Sequence, residues 1–252
     1  MRNSFKSKIT LAVLAVCLAA VSSLALAPQT QQRAVFAQDK GKFTIQLDGQ
    51  TVGHEEFEIS PAGGGWAAQS TTDLKVPDAP ASRVTGTLTL QPDGAPISYE
   101  WKSQAEKTNG AHVAFSSGVA KITLEMQGAK PCTAAEIADP HRTQPCFFEQ
   151  SLSFNTPLIA VLDNNLYYQY AVLARVYNWS KLGTQTFPVL IPQELVPGTI
   201  TVQSTGSTTA NGKTYEGLKV NTSDLEILLL LDGNHRLMRL EVPAAKVSVF
   251  RD

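Results

Sequence analysis

Along most of this chain apolar and polar residues alternate one for one. Phe43, Ile45 and Leu47 take turns with Thr44, Gln46 and Asp48, and Ile122, Leu124 and Met126 take turns with Lys121, Thr123 and Glu125. A period of two is the mark of a strand with one buried face. Comparable runs follow one another with turn residues between them: Asp48-Gly49, Pro61 to Gly65, Pro92-Asp93-Gly94, Asn109-Gly110, Pro197-Gly198, Asn211-Gly212 and Asp232-Gly233-Asn234. The pattern predicts about a dozen short antiparallel strands arranged as a meander, sandwich or open barrel. Leu225 to Leu231 is apolar at both parities, which suits a central strand covered on both sides.

One stretch breaks the alternation. Asn155 to Gly183 carries four of the six tyrosines, plus Trp179, on very few charges. Pro157 suits the first turn of a helix with Asn155 or Thr156 as cap, and Gly183 suits the residue beyond its end. The stretch reads as two pieces, Leu158 to Leu162 and then Asn164 to Leu182 with Asp163 as cap. On the second piece Leu166, Tyr170, Leu173 and Tyr177 form one stripe, and Tyr168, Val172, Val176 and Trp179 another. So wide an apolar surface calls for cover. The expected fold is therefore mainly β: a curved antiparallel sheet or unclosed barrel with one helical insertion, near 156–182, on its concave face.

Length allows a single β-rich domain over 38–252. Residues 1–37 have the layout of an export leader: basic Arg2, Lys6 and Lys8, an apolar run from Ile9 to Ala27, then small residues. Val35-Phe36-Ala37 offers a cleavage site before Gln38, and an uncleaved anchor is the alternative, since the run is about long enough to span a bilayer. The expected location is the periplasm or cell envelope. Four of the 21 basic residues and none of the 22 acids precede Asp39, so the body is mildly acidic and has no electrostatic case for nucleic acid. Cys17 lies in the leader. Cys132 and Cys146 remain as a pair around a loop of about 15 residues, whose closure as a disulfide would stabilise by about 3 kcal/mol on the entropic account.

Catalytic patterns are missing. No G-x-S-x-G occurs, and Ser116-Ser117-Gly118 and Ser204-Thr205-Gly206 read as turn material. His54-Glu55-Glu56 reads as a solvated strand end, and the four histidines form no triad or metal set by spacing. A carboxylate pair of glycosidase type could still hide among the acids. No cofactor or metal is implied.

Asp163-Asn164-Asn165-Leu166-Tyr167 with Gly183, the run Leu229 to Leu240 around Asp232 and Arg239, and the opening Phe43, Ile45, Gly49, Val52 and Gly53 together resemble uncharacterised bacterial envelope proteins of unknown function. More distantly the layout is similar to periplasmic lipoprotein carriers and their receptors. That resemblance implies an unclosed barrel with helices over an apolar cavity, acyl-chain binding and no catalytic residue.

Two functions follow as expectations. Either the insertion is a lid over a lipid or other apolar ligand, held by Leu166, Tyr167, Tyr170, Leu173, Tyr177 and Trp179, or it is a plug completing the core of a structural module that binds an envelope protein partner.

Overall fold

The alternation is realised as a single sheet. In a computed structural model, residues 36–252 are described apart from 106–107 and 211. The expected leader therefore lies outside the described residues, except for Phe36 and Ala37. Eight strands come first: β1 (Asp39–Leu47), β2 (Gln50–Ala62), β3 (Gly65–Leu74), β4 (Ser82–Leu90), β5 (Pro96–Gln104), β6 (Thr108–Ser116), β7 (Val119–Met126) and β8 (Phe148–Ser153). A short helix α1 (Ala134–Ala138) sits between β7 and β8. Then come β9 (Ala160–Val161), α2 (Tyr168–Val176), β10 (Thr184–Ile191), β11 (Val196–Ala210), β12 (Lys213–Asn221), β13 (Glu226–Leu231), β14 (Leu237–Val242) and β15 (Val247–Arg251).

The strand order is β8-β7-β6-β5-β4-β3-β2-β1-β15-β14-β13-β12-β11-β10-β9. Two meanders therefore run outward from a central seam, where β1 and β15 pair antiparallel from Phe43–Arg251 to Leu47–Val247. Every pairing is antiparallel except β9 with β10. The sheet is not closed: β8 and β9 are its two edges. β9 is only two residues long and leaves most of β10 bare, where Pro188 offers no N–H to a foreign strand.

Inward residues from both meanders share one core, which includes Phe43, Ile59, Leu88, Tyr99, Ile122, Leu218, Leu229 and Val249. In β13 Ile227, Leu229 and Leu231 are buried and Leu228 and Leu230 half-buried, so the run expected to be covered on both faces is covered fully on one. α2 packs most closely on β3 and β14, one from each meander. The Cys132–Cys146 disulfide forms, with its Cα atoms 5.5 Å apart, and closes the α1 loop that joins β7 to β8.

Several local expectations are corrected. The helical insertion is one helix of nine residues, not two pieces spanning 156–182. Leu158 to Leu162 is not helical: β-branched Ile159 and Val161 flank Ala160, and Ala160–Val161 pairs with β10. Thr156 accepts the N–H of Leu158 through its side chain, which sets up a turn instead of a helix start. Asn109-Gly110 lies inside β6, and Pro197-Gly198 lies inside β11. Ser204 to Gly206 is a bulge in β11, not a turn.

Candidate functional site

Glu55 shows how the helix is held. Its position in β2 has the parity of Phe57 and Ile59, so its side chain points inward and is 0% exposed. The expectation of a solvated strand end fails for this residue, although His54 and Glu56 on either side are exposed. Its carboxyl accepts the N–H of Tyr167 at 2.9 Å and of Tyr168 at 3.1 Å. Tyr167 is the helix N-cap but has no capping side chain, so a strand residue does the work of a cap across the core. Burial pushes the Glu55 carboxyl up to about 8, while Ser70 and the two amides pull the other way.

Asp163 is a second buried carboxyl, and it does not cap the helix. It accepts the Tyr99 hydroxyl at 2.6 Å and the N–H of Gln193 at 2.9 Å, and its own N–H goes to the side chain of Gln169. Burial pushes it up to about 7. Acid–base hydrolysis uses one carboxyl with a raised pKa beside a second that stays ionised, whereas both are raised in this fold. Here both are sealed from the surface and committed to donors within the fold.

At the other end of α2, Arg251 clasps Asp39 with contacts of 2.6 and 3.2 Å, and Arg175 from the last helical turn stands 3.8 Å from the same carboxylate. All three side chains are at least nine-tenths buried. The helix is thus held at its start by hydrogen bonds to a buried carboxyl, at its end by an ion pair, and along its middle by apolar contact.

The residues expected to hold a ligand are placed as packing. Leu166 and Leu173 are buried. Gly86 on β4 makes room for the helix entry, since a Cβ there would stand 2.9 Å from Leu166 Cδ1 and 3.0 Å from Tyr168 Oη. Tyr167 and Tyr170 are partly buried against the core. Burial raises the pKa of both, that of Tyr170 to about 12. Tyr177 donates its hydroxyl to the carbonyl of Gly183 at 2.6 Å, and Trp179 donates its indole N–H to Ala174 at 2.9 Å. Trp179 also stacks on His235, ring centres 3.9 Å apart. The cavity beneath the helix, among Leu88, Leu90, Ile159, Val172, Leu173 and Phe187, measures about 20 Å³. That holds about one water molecule.

A larger opening lies elsewhere on the inner face. One row of the sheet runs Ser70, Gly86, Trp101, Ala111, Leu124 and Phe148 in cross-strand register. Its first half is under α2. Its second half emerges: Phe148 is 45% exposed and its neighbour Met126 is 47% exposed. Trp101, Asn109, Leu124, Met126 and Gln193 line a cleft of about 390 Å³ there. Gln193 comes from the turn after β10 and donates its amide N–H to the carbonyl of Asn164, while its backbone N–H goes to Asp163. Trp101 is 7% exposed, and its indole N–H has no acceptor in the protein. Depressions of about 660 and 740 Å³ lie over other parts of the sheet, but polar outward residues such as Lys40, Glu58, Thr85, His54 and Arg83 line them. Among the described residues no cluster of His, Cys, Asp and Glu could hold a metal ion.

No protein-family profile matches the sequence, and no curated relative does. The fold is similar to a solved structure described as a β-barrel-like protein of the domain of unknown function DUF1849 from Brucella abortus. The TM-score is 0.51 at 9% identity, over 85% of this chain and 94% of that one. A DUF1089 family protein from Pseudomonas aeruginosa aligns with a TM-score of 0.44 at 8% identity, over 78% of this chain and 91% of that one. The first likeness identifies the architecture, a β-barrel-like sheet, and is silent on activity.

Proposed function

We propose that this chain is an exported, non-catalytic binding protein of the cell envelope, which takes a small molecule with an apolar body at the open end of its inner face. One observation carries the reading: Trp101, Leu124 and Met126 form an apolar wall on a cleft of about 390 Å³, within the range of small-molecule pockets. The helical insertion is the plug that keeps the rest of the face filled, so the ligand sits beside α2 and not beneath it. A lipid or acyl chain fits this chemistry.

Titration with the apolar fluorophore N-phenyl-1-naphthylamine tests the reading. The expected result is saturable enhancement by folded protein with one site, lost in Met126→Asp and retained in Trp179→Phe. Absence of saturable binding, or binding insensitive to Met126→Asp, overturns it.

A filled-core module serving a partner protein is the second reading, and the cavity of about 20 Å³ under α2 favours it. It predicts no fluorophore site and a stable stoichiometric complex on native purification.

A further inference from the structure

The two edges of the sheet are built differently. β9 covers one end of β10, and Pro188 removes a backbone donor from the rest. β8 has neither protection. Its sequence, Phe-Glu-Gln-Ser-Leu-Ser, contains no proline or lysine, and it pairs with β7 from Val119–Ser153 to Leu124–Phe148 without a bulge. Among the described residues β7 is the one element packed closely on it. An edge this regular is a template for another strand.

The backbone of β8 says which strand fits. Phe154 donates its N–H at 2.7 Å to the carbonyl of Gly118, directly opposite. Bonded positions alternate along an antiparallel ladder, so Leu152, Gln150 and Phe148 also turn their backbone groups toward β7. Glu149, Ser151 and Ser153 turn theirs outward, and all three residues are exposed. Phe148, Gln150 and Leu152 share the inner face with Leu124, Ile122 and Ala120, and Phe148 is 45% exposed there.

We propose that β8 pairs with β8 of a second copy of this chain, antiparallel about a two-fold axis at Gln150. That register joins outward backbone groups to outward backbone groups, Glu149 to Ser151 of the second copy and Ser151 to its Glu149. Facing positions are an even number apart, so both inner faces lie on one side. Phe148 then stands opposite Leu152 of the second copy, an aromatic–aliphatic pair. No charge meets its like: Glu149, the only charged residue of β8, faces a serine and has Lys121 of β7 at 3.4 Å. A foreign peptide would have to supply this match, whereas β8 already carries it for itself.

Sedimentation velocity of the full chain across a dilution series tests the pairing. The expected result is a reversible dimer of micromolar strength, since two short strands make a small interface. Ser151→Pro removes an outward N–H and leaves the β7 ladder intact, so it should give a monomer with an unchanged far-ultraviolet spectrum. Gln150→Lys should also give a monomer, because it sets two lysines face to face at the axis. Mixing Gln150→Lys with Gln150→Glu should restore a dimer containing one copy of each, which neither a foreign occupant of the edge nor a contact elsewhere on the chain would do. A wild type still monomeric at a concentration on the order of 1 mM, a dimer that survives both single substitutions, or a mixture that fails to reassociate overturns the proposal.

Discussion

Two regions of one inner face are built from the same alternating strands and end up chemically opposite. Beneath α2 the sheet has polar residues inside, Glu55, Ser70 and Thr72, and almost no free space. At the β5–β8 end it has apolar residues partly outside, Met126 and Phe148, beside a cleft. A nine-residue helix makes the difference. Its N-terminal amides and its Arg175 supply partners that let the sheet bury Glu55 and Asp39, and where it stops the sheet is left with apolar groups and no cover. For Glu55 and Asp39 burial goes with the partners that the facing helix supplies, and strand composition alone does not decide it.

Breaking the covered region should be far more costly than altering the open one. Asp39→Ala leaves the buried Arg251 without its ion-pair partner and takes the largest counter-charge from Arg175, and a loss of about 3–5 kcal/mol is expected in urea unfolding. An unchanged midpoint would mean that the arginines reach water. Leu173→Ala, under the helix, should cost about 2–5 kcal/mol. Met126→Ala, at the cleft, should stay within about 1 kcal/mol of the wild type. Equal costs for these two would erase the contrast between the regions.

The carboxyls give the covered region an unusual pH response. Glu55 and Asp163 titrate near 4.5 and 3.8 when unperturbed, and near 8 and 7 in the fold. Below about pH 4 each is protonated in folded and unfolded chains alike, and its contribution is complete. As the pH rises the unfolded chain releases these protons first, so stability drains away until the folded pKa values are passed near pH 8. Unfolding midpoints should fall from pH 5 to pH 8, by on the order of a few kcal/mol for the two groups together. Glu55→Gln, which keeps an acceptor for the helix amides and cannot ionise, should remove roughly half of that slope, with Asp163 supplying the rest. A midpoint that climbs over this interval would contradict the burial of both groups. A further effect is expected at Gly86: Gly86→Ala pushes a methyl against Leu166 and Tyr168 and should cost about 1–3 kcal/mol.

How much of this could be read in advance depends on the range of the interaction. Strands and most turns are local, so period two and residues such as Asp48-Gly49 or Pro92-Asp93-Gly94 sufficed. The helix was overextended because an apolar run such as Leu158 to Leu162 satisfies either period, and only the β10 partner decides for a strand. Asn109-Gly110 has the chemistry of a turn but sits in β6 because register to β5 and β7 outweighs it. Glu55 was legible in principle: the parity of Phe57 and Ile59 points it inward. What could not be read was its partner, the start of a helix 112 residues away. The cleft was invisible for the same reason, since Gln193 and Trp101 meet only in three dimensions.

The seam at the centre of the sheet bears on how the molecule is made. β1 is the first described strand in chain order and β15 the last, and Asp39 meets Arg251 across 212 positions of sequence. Each meander can zip up from neighbouring hairpins as it emerges, but the join between them waits for the final strand. Until then β1 presents an open, half-apolar edge, and contacts of such range form slowly. A chain of this design completes its core only after β15 has been made, however early each meander has formed.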